Sequence, residues 1–340
     1  MLPRAFFDGS KFYVRIALAI FVVAAVIATA SGGSAQNATP VHQIFVVTGA
    51  MVTPRQAHTA TLLTNGMVLI TGGLNAAGRT IANAELFNPA TGRFLATGSM
   101  NVARVFHTAT LLRNGQVLVV GGEGTSDAAL TSAELFNPLT GRFSLTGNLT
   151  FRRLAHSATL LTNGMVLVAG GANGNGSALS TAELFNPTTG RFTVTHNLNA
   201  ARLFHTATML DNGQVLVAGG NNSVAALASA ERFTIQNLFV PTGSMRSART
   251  FHSATLLDSA GLIGQVLVAG GFGSAALAST EIFNPITGTF RAAASLKFAR
   301  LVHTATLLND GSVLIAGGEN KQNGVALAPR SCLISIPANL

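Results

Sequence analysis

From Arg104 to Gly122 the chain reads RVFHTATLLRNGQVLVVGG, and versions of this phrase stand six times in the 340 residues. An Arg-x-x-His lead opens it, followed by an alternating run that begins on small residues. Asn114-Gly115 then supplies the positive φ that a tight hairpin requires. An apolar run from Gln116 to Val120 ends on Gly121-Gly122, where a side chain would obstruct a closely approaching backbone. The leads are Arg55/His58, Arg104/His107, Arg153/His156, Arg202/His205, Arg249/His252 and Arg300/His303, and the histidines are spaced by 49, 49, 49, 47 and 51 residues. A period near fifty marks a repeat architecture in which each unit is one small sheet.

The rest of each unit completes that sheet. After the Gly-Gly of the second copy comes a polar loop, Glu123 to Thr131, and then a strand, Ala133-Glu134-Leu135-Phe136. Asn137-Pro138-Leu139-Thr140-Gly141 reverses the chain, because Pro pre-sets a turn and Gly takes the left-handed position. Arg142-Phe143-Ser144-Leu145 is the fourth strand. Four antiparallel strands per unit make a propeller blade. The expected fold is therefore all-β, a six-bladed β-propeller of four-stranded antiparallel blades over residues 43–340.

Closure is expected from the chain ends. Phe94, Phe143, Phe192, Phe239 and Phe290 mark strand four, and Phe45 to Met51 repeats the pattern of Phe94 to Met100 ahead of the first full unit. The last unit has strands one and two, a third near Ser331 to Ile336, and no fourth. The N-terminal strand is expected to supply it and to cover an open sheet edge.

Ahead of the repeats, Arg4, Lys11 and Arg15 precede an apolar stretch from Ile16 to Ala30, with small residues at Ala28–Ala30 and Gly33–Ala35. This order describes a signal peptide over residues 1–35 and a short linker over 36–42. The stretch is shorter than the roughly 20 residues of a membrane span. Membrane attachment is expected only if it stays uncleaved, and the location is secreted or cell-envelope. The single cysteine, Cys332, rules out an intramolecular disulfide. Only 10% of residues are charged, against roughly 25% in an average soluble domain. Loss of the leader would lower the net charge from +9 to +7. The remaining bases are scattered, whereas nucleic-acid binders cluster them on one face among stacking aromatics. Nucleic acid is not an expected partner.

The Arg-x-x-His lead, the Gly-Gly pair and the run Glu134-Leu135-Phe136-Asn137-Pro138-Leu139-Thr140-Gly141-Arg142-Phe143 resemble the Kelch repeat family. The likeness extends to its exported variant, similar to the propeller domain of galactose and glyoxal oxidases. It covers residues from about 43 to 340, with Phe in place of the usual Kelch Tyr and Trp of strands three and four. The resemblance implies ligand contact on the face that carries the loops after Gly-Gly. The oxidase chemistry needs a copper and a cysteine-modified tyrosine radical. The only tyrosine is Tyr13, inside the expected leader, so that cofactor cannot be built in the mature chain.

Strand direction places the Arg-x-x-His lead, the Gly-Gly, the following loop and the repeat Glu at one end of each blade. The repeat Glu residues, Glu85, Glu134, Glu183, Glu231 and Glu281, are expected to be structural and to pair with the repeat Arg residues, within a blade or between blades. Six equivalent histidines around an axis would not converge to the about 2 Å that zinc requires. No metal and no cofactor are expected, and no catalytic constellation stands out. The candidate binding face comprises the six lead Arg and six lead His residues with the loop residues Glu123, Asp127, Asn173, Asn221, Asn222, Glu319 and Lys321. Irregular loops on a rigid scaffold are where recognition sits. Blade five also lengthens its first hairpin, Asp258 to Gly264, and Leu262 and Ile263 are expected to be exposed there. The expected function is non-catalytic binding of a protein or extracellular polymer. An enzyme using channel-mouth Arg and His on a small acidic substrate is the alternative, and a self-associating surface protein is a third.

Overall fold

The computed structural model describes residues 48–258, 262–320 and 332–334. Among the described residues, six antiparallel blade sheets follow one another along the chain, beside a two-stranded ladder of Arg55–Gln56 with Leu74–Asn75. Blade 2 shows the plan: Thr108–Leu111, Val117–Val120, Ala133–Asn137 and Arg142–Leu145, each paired with the next. Blade 1 spans Thr59–Leu62 to Arg93–Ala96, blade 3 Ser157–Leu160 to Arg191–Val194, blade 4 Thr206–Met209 to Phe239–Pro241, and blade 5 Ser253–Leu256 to Thr289–Ala293. In blade 6, Thr304–Leu307 pairs with Val313–Ala316, and Val313–Ala316 with Cys332–Ile334, where a third strand was expected. The leader, the linker, residues 45–47 of the closing strand expected over Phe45 to Met51, and Lys321 lie outside the described residues, and residues 48–51 are not in a strand.

The second strand explains why its sequence is apolar without a break. Its edges are taken by strands one and three, and its two faces pack on the blades to either side. In blade 2, Val117 and Val119 turn toward Leu63, Leu69, Ala84 and Met100 of blade 1, whereas Leu118 and Val120 turn toward Val166, Val168 and Phe185 of blade 3. Each inter-blade layer is built the same way, up to the layer of Leu267, Ala269 and Ile282 of blade 5 with Val313 and Ile315 of blade 6. Leu262 belongs to that last layer. It is buried, contrary to expectation, because the lengthened hairpin folds it back into the apolar seam; its neighbour Ile263 stays 66% exposed.

Blades are also joined through backbone. After strand four the chain crosses to the next blade, where the Gly98 N–H donates to the Gly141 carbonyl at 2.9 Å and the Gly147 N–H to Gly190 at 2.9 Å. The Gly49 N–H makes the same bond to Gly92 at 2.8 Å. Gly49 thus stands against blade 1 as the glycine after a fourth strand stands against blades 2, 3 and 5.

Candidate binding face

The lead Arg residues are buried, contrary to a role in contacting ligand. In blade 2 the Arg104 Nη1 donates to the carbonyls of Gly121 (2.8 Å) and Ser132 (3.0 Å), and Nη2 donates to Glu134 Oε1 at 2.8 Å. The other carboxylate oxygen accepts the Asn101 N–H at 2.7 Å. Each pair lies within one blade: Arg55–Glu85, Arg104–Glu134, Arg153–Glu183, Arg202–Glu231 and Arg249–Glu281, at 2.7–2.9 Å. The Glu is not gripped by both guanidinium arms. It accepts one arm and the backbone amides that begin the lead, so the pair ties strand three to the incoming chain. Burial pulls the Arg104, Arg153, Arg202 and Arg249 guanidinium groups down from their ordinary range, with the Glu opposing it. Arg300 Nη1 donates to the Gly317 carbonyl at 2.7 Å.

The lead His residues are also withdrawn from the surface, and His107, His156, His205, His252 and His303 each link their blade to the one before it. His107 Nε2 shares hydrogen bonds with Thr59 and Thr71 hydroxyls of blade 1, both at 3.1 Å. His156, His205, His252 and His303 meet Thr108, Ser157, Thr206 and Ser253 of the preceding blade at 2.8–3.0 Å. The small residue that opens strand one is therefore a hydroxyl for a reason. Burial, followed by the Arg of the same lead, lowers every one of these rings. His58 and His303 fall to about 4, His107 and His205 to about 3, and His156 and His252 well below the usual value. Each imidazole is neutral at physiological pH. Among the described residues, no group of three or more His, Cys, Asp or Glu is arranged to hold a metal ion.

The two glycines receive these same groups. A Cβ on Gly121 would lie 2.6 Å from the Arg153 carbonyl and 2.9 Å from the His156 ring of blade 3. The Gly122 N–H donates to that carbonyl at 2.9 Å. Gly-Gly is thus a socket for the next blade's lead.

A further device was not read from the sequence. The residue before each lead His is left-handed and not glycine: Ala57, Phe106, Ala155, Phe204, Phe251 and Val302, with φ between 50° and 56°. Their backbones bond from blade to blade, with the Ala155 N–H donating to Phe106 O (3.0 Å), Phe204 to Ala155 (3.1 Å), Phe251 to Phe204 (3.3 Å) and Val302 to Phe251 (3.0 Å). This collar is half-buried. Its side chains differ. Phe106 and Phe204 meet edge-on at 6.1 Å past the small Ala155, and Phe204 packs on Phe251 at 4.2 Å. The sequence holds no signal for it, because Phe and Val are poor left-handed residues.

Beyond the collar lie the loops. Glu123 pairs through its backbone with Val105, as Asn221 does with Leu203 and Glu319 with Leu301. Burial and then Asp127 raise the Glu123 carboxyl. Glu319 is buried. Asn173 Oδ1 accepts the amides of Asn175 and Ser177, Asn221 Oδ1 that of Ser223, and Asn222 Oδ1 those of Val224 and Ala225. These asparagines shape their own loops. Asp127 stands exposed at its loop tip, and Arg79, Arg152 and Val224, which were not singled out from sequence, are exposed as well.

No family model and no curated protein matches the chain. Among solved structures, YjhT, a propeller protein, superposes with a TM-score of 0.67 at 16% identity, over 85% of this chain and 97% of that one. The likeness is one of fold.

Proposed function

We propose that the chain is an exported, non-catalytic Kelch-like binding module that grips a protein or extracellular polymer with the loop end of its propeller. One observation carries the proposal. The charged residues common to the blades are consumed inside the scaffold, whereas the exposed loop side chains differ from blade to blade around a half-buried aromatic collar. The repeat His, the obvious acid–base candidate, is neutral and engaged by the neighbouring blade's hydroxyl, which favours a structural role over catalysis. Export rests on the basic-then-apolar order of residues 1–35.

Two measurements test this. N-terminal sequencing of protein recovered outside the cytoplasm should begin after Ala30 or Ala35; an intact Met1 there refutes cleavage. Cosedimentation with insoluble envelope polymer from the producing cells should be lost on Arg79→Ala/Arg152→Ala/Val224→Ser with the melting temperature unchanged. Undiminished cosedimentation, or no cosedimentation by the parent, refutes polymer binding through this face.

A further inference from the structure

The opposite end of the propeller, formed by the hairpin turns, carries its exposed charge in two blocks. On the turns of blades 1–3, and on the residues that directly follow them, stand Arg93, Arg113, Arg142 and Arg191, all exposed. On the first hairpins of blades 4–6 stand Asp211, Asp258 and Asp310, also exposed. Blades 4 and 5 lack the Arg after their second turn, having Leu238 and Thr289 instead. Two further cations of blades 4 and 5 are half-buried: Arg232, which donates to Gln214 Oε1 at 3.2 Å, and Arg291 on an outer strand. Successive first hairpins are close neighbours. Arg113 Nη2 donates to the Thr162 carbonyl, and a Cβ on Gly264 would meet the Asp211 carboxylate at 2.9 Å. One half of this end is thus basic among the described residues, and the other acidic.

Among the described residues, the most exposed large apolar side chains share the same end. Leu139 of blade 2 is 95% exposed and Ile286 of blade 5 is 94% exposed, at the same position of the same turn. In a six-bladed order these blades stand three steps apart. A twofold axis lying along the boundary between the two halves would set blade 2 against blade 5 of another copy, blade 3 against blade 4, and blade 1 against blade 6. The basic blades would then face the acidic ones, with Arg113 opposite Asp258 on the first hairpins of blades 2 and 5, and Leu139 would meet Ile286.

We infer that the turn end is a self-complementary surface, and that its partner is a second copy of this chain docked turn end to turn end about that twofold axis. A surface divided into opposite charges matches itself after a half-turn, which is the requirement of an isologous dimer. Complementary potential also sets the register and disfavours other orientations. The loop ends would point outward from such a dimer, doubling the sites open to an extended ligand.

Sedimentation equilibrium on the protein as recovered from the cells that express it tests the inference. At about 50 mM salt the parent should be dimeric, and at about 500 mM its dissociation constant should rise at least about tenfold through screening. Arg142→Glu/Arg191→Glu and Asp211→Arg/Asp258→Arg should each weaken the dimer at least about tenfold, because like charges then face one another. An equimolar mixture of the two variants should pair again, since the reversed blades oppose each other across the axis. Leu139→Ser, which removes the apolar contact without adding a charge, should weaken the dimer while leaving its salt dependence unaltered. Unchanged melting temperatures show that the fold is intact; where a reversal melts lower, Arg142→Gln/Arg191→Gln replaces it. A parent that is monomeric at about 100 µM, a dimer indifferent to both reversals, or a mixture that does not re-pair overturns the inference.

Discussion

Mild acid should unfold this protein through its buried histidines. In the unfolded chain each imidazole titrates near its ordinary value of 6.5, whereas in the fold His58 and His303 titrate at about 4, and His107 and His205 at about 3. The folded pKa is lower than the unfolded one, so between these values the unfolded state binds more protons. Stability is therefore fully present above about pH 6.5 and is lost as the pH falls toward about 4. At about pH 5.5 an unfolded imidazole has gained about 1 kcal/mol relative to neutral pH, while a folded one has gained almost nothing. That result is the same for a folded pKa of 3 or 4. Four rings together cost about 5 kcal/mol, within the whole stability of an ordinary domain. His156 and His252 act in the same direction. Urea unfolding followed between about pH 7.5 and 5 should show an uptake of about four or more protons per molecule near pH 5.5. His205→Gln should lower that uptake by about one. A urea midpoint that stays level across the window would refute the assignment of neutral, buried rings.

Three further outcomes follow from the repeated contacts. Glu134→Gln leaves the Arg104 charge buried without its counter-ion and should cost about 3–5 kcal/mol in urea unfolding; a loss under about 1 kcal/mol would mean that water reaches the pair. Gly121→Ala places a Cβ 2.6 Å from the Arg153 carbonyl at a φ of +58° and should destabilise by about 2 kcal/mol or more, measured the same way. At the collar the sign reverses: Ala155→Gly relieves a left-handed residue at φ 52° and should raise stability by up to about 1 kcal/mol, read as a higher melting temperature.

Much of the blade was legible because its signals are local. Asn-Gly and Asn-Pro-x-Thr-Gly name their turns, an unbroken apolar run names a strand covered on both faces, and Phe143 opposite Phe136 marks strands three and four. The pairing of Arg104 with Glu134 was legible as well, since both lie at one end of one sheet, although its grip on the lead amides was not. The candidate contacts were less legible. Asn173, Asn221 and Asn222 look like free polar groups in a loop, but each carries an amide-binding oxygen that its own turn uses. Leu262 looks like an exposed insertion because the neighbouring layer of Val313 and Ile315, some fifty residues on, is invisible in its local sequence.

The sequence alone determined the repeat, the strand order within it, and the end of the blade at which each polar residue stands. Those properties follow from alternation and turn chemistry within about fifty residues. Tertiary structure alone decided that His107 belongs to the hydroxyls of Thr59 and Thr71, that Gly121 is a socket for Arg153, and that Phe106, Phe204 and Phe251 gather at one mouth. It also decided that the exposed charges of seven separate turns fall into two opposed halves. Each of these depends on which blade stands beside which, and the packing of whole sheets face to face sets that order.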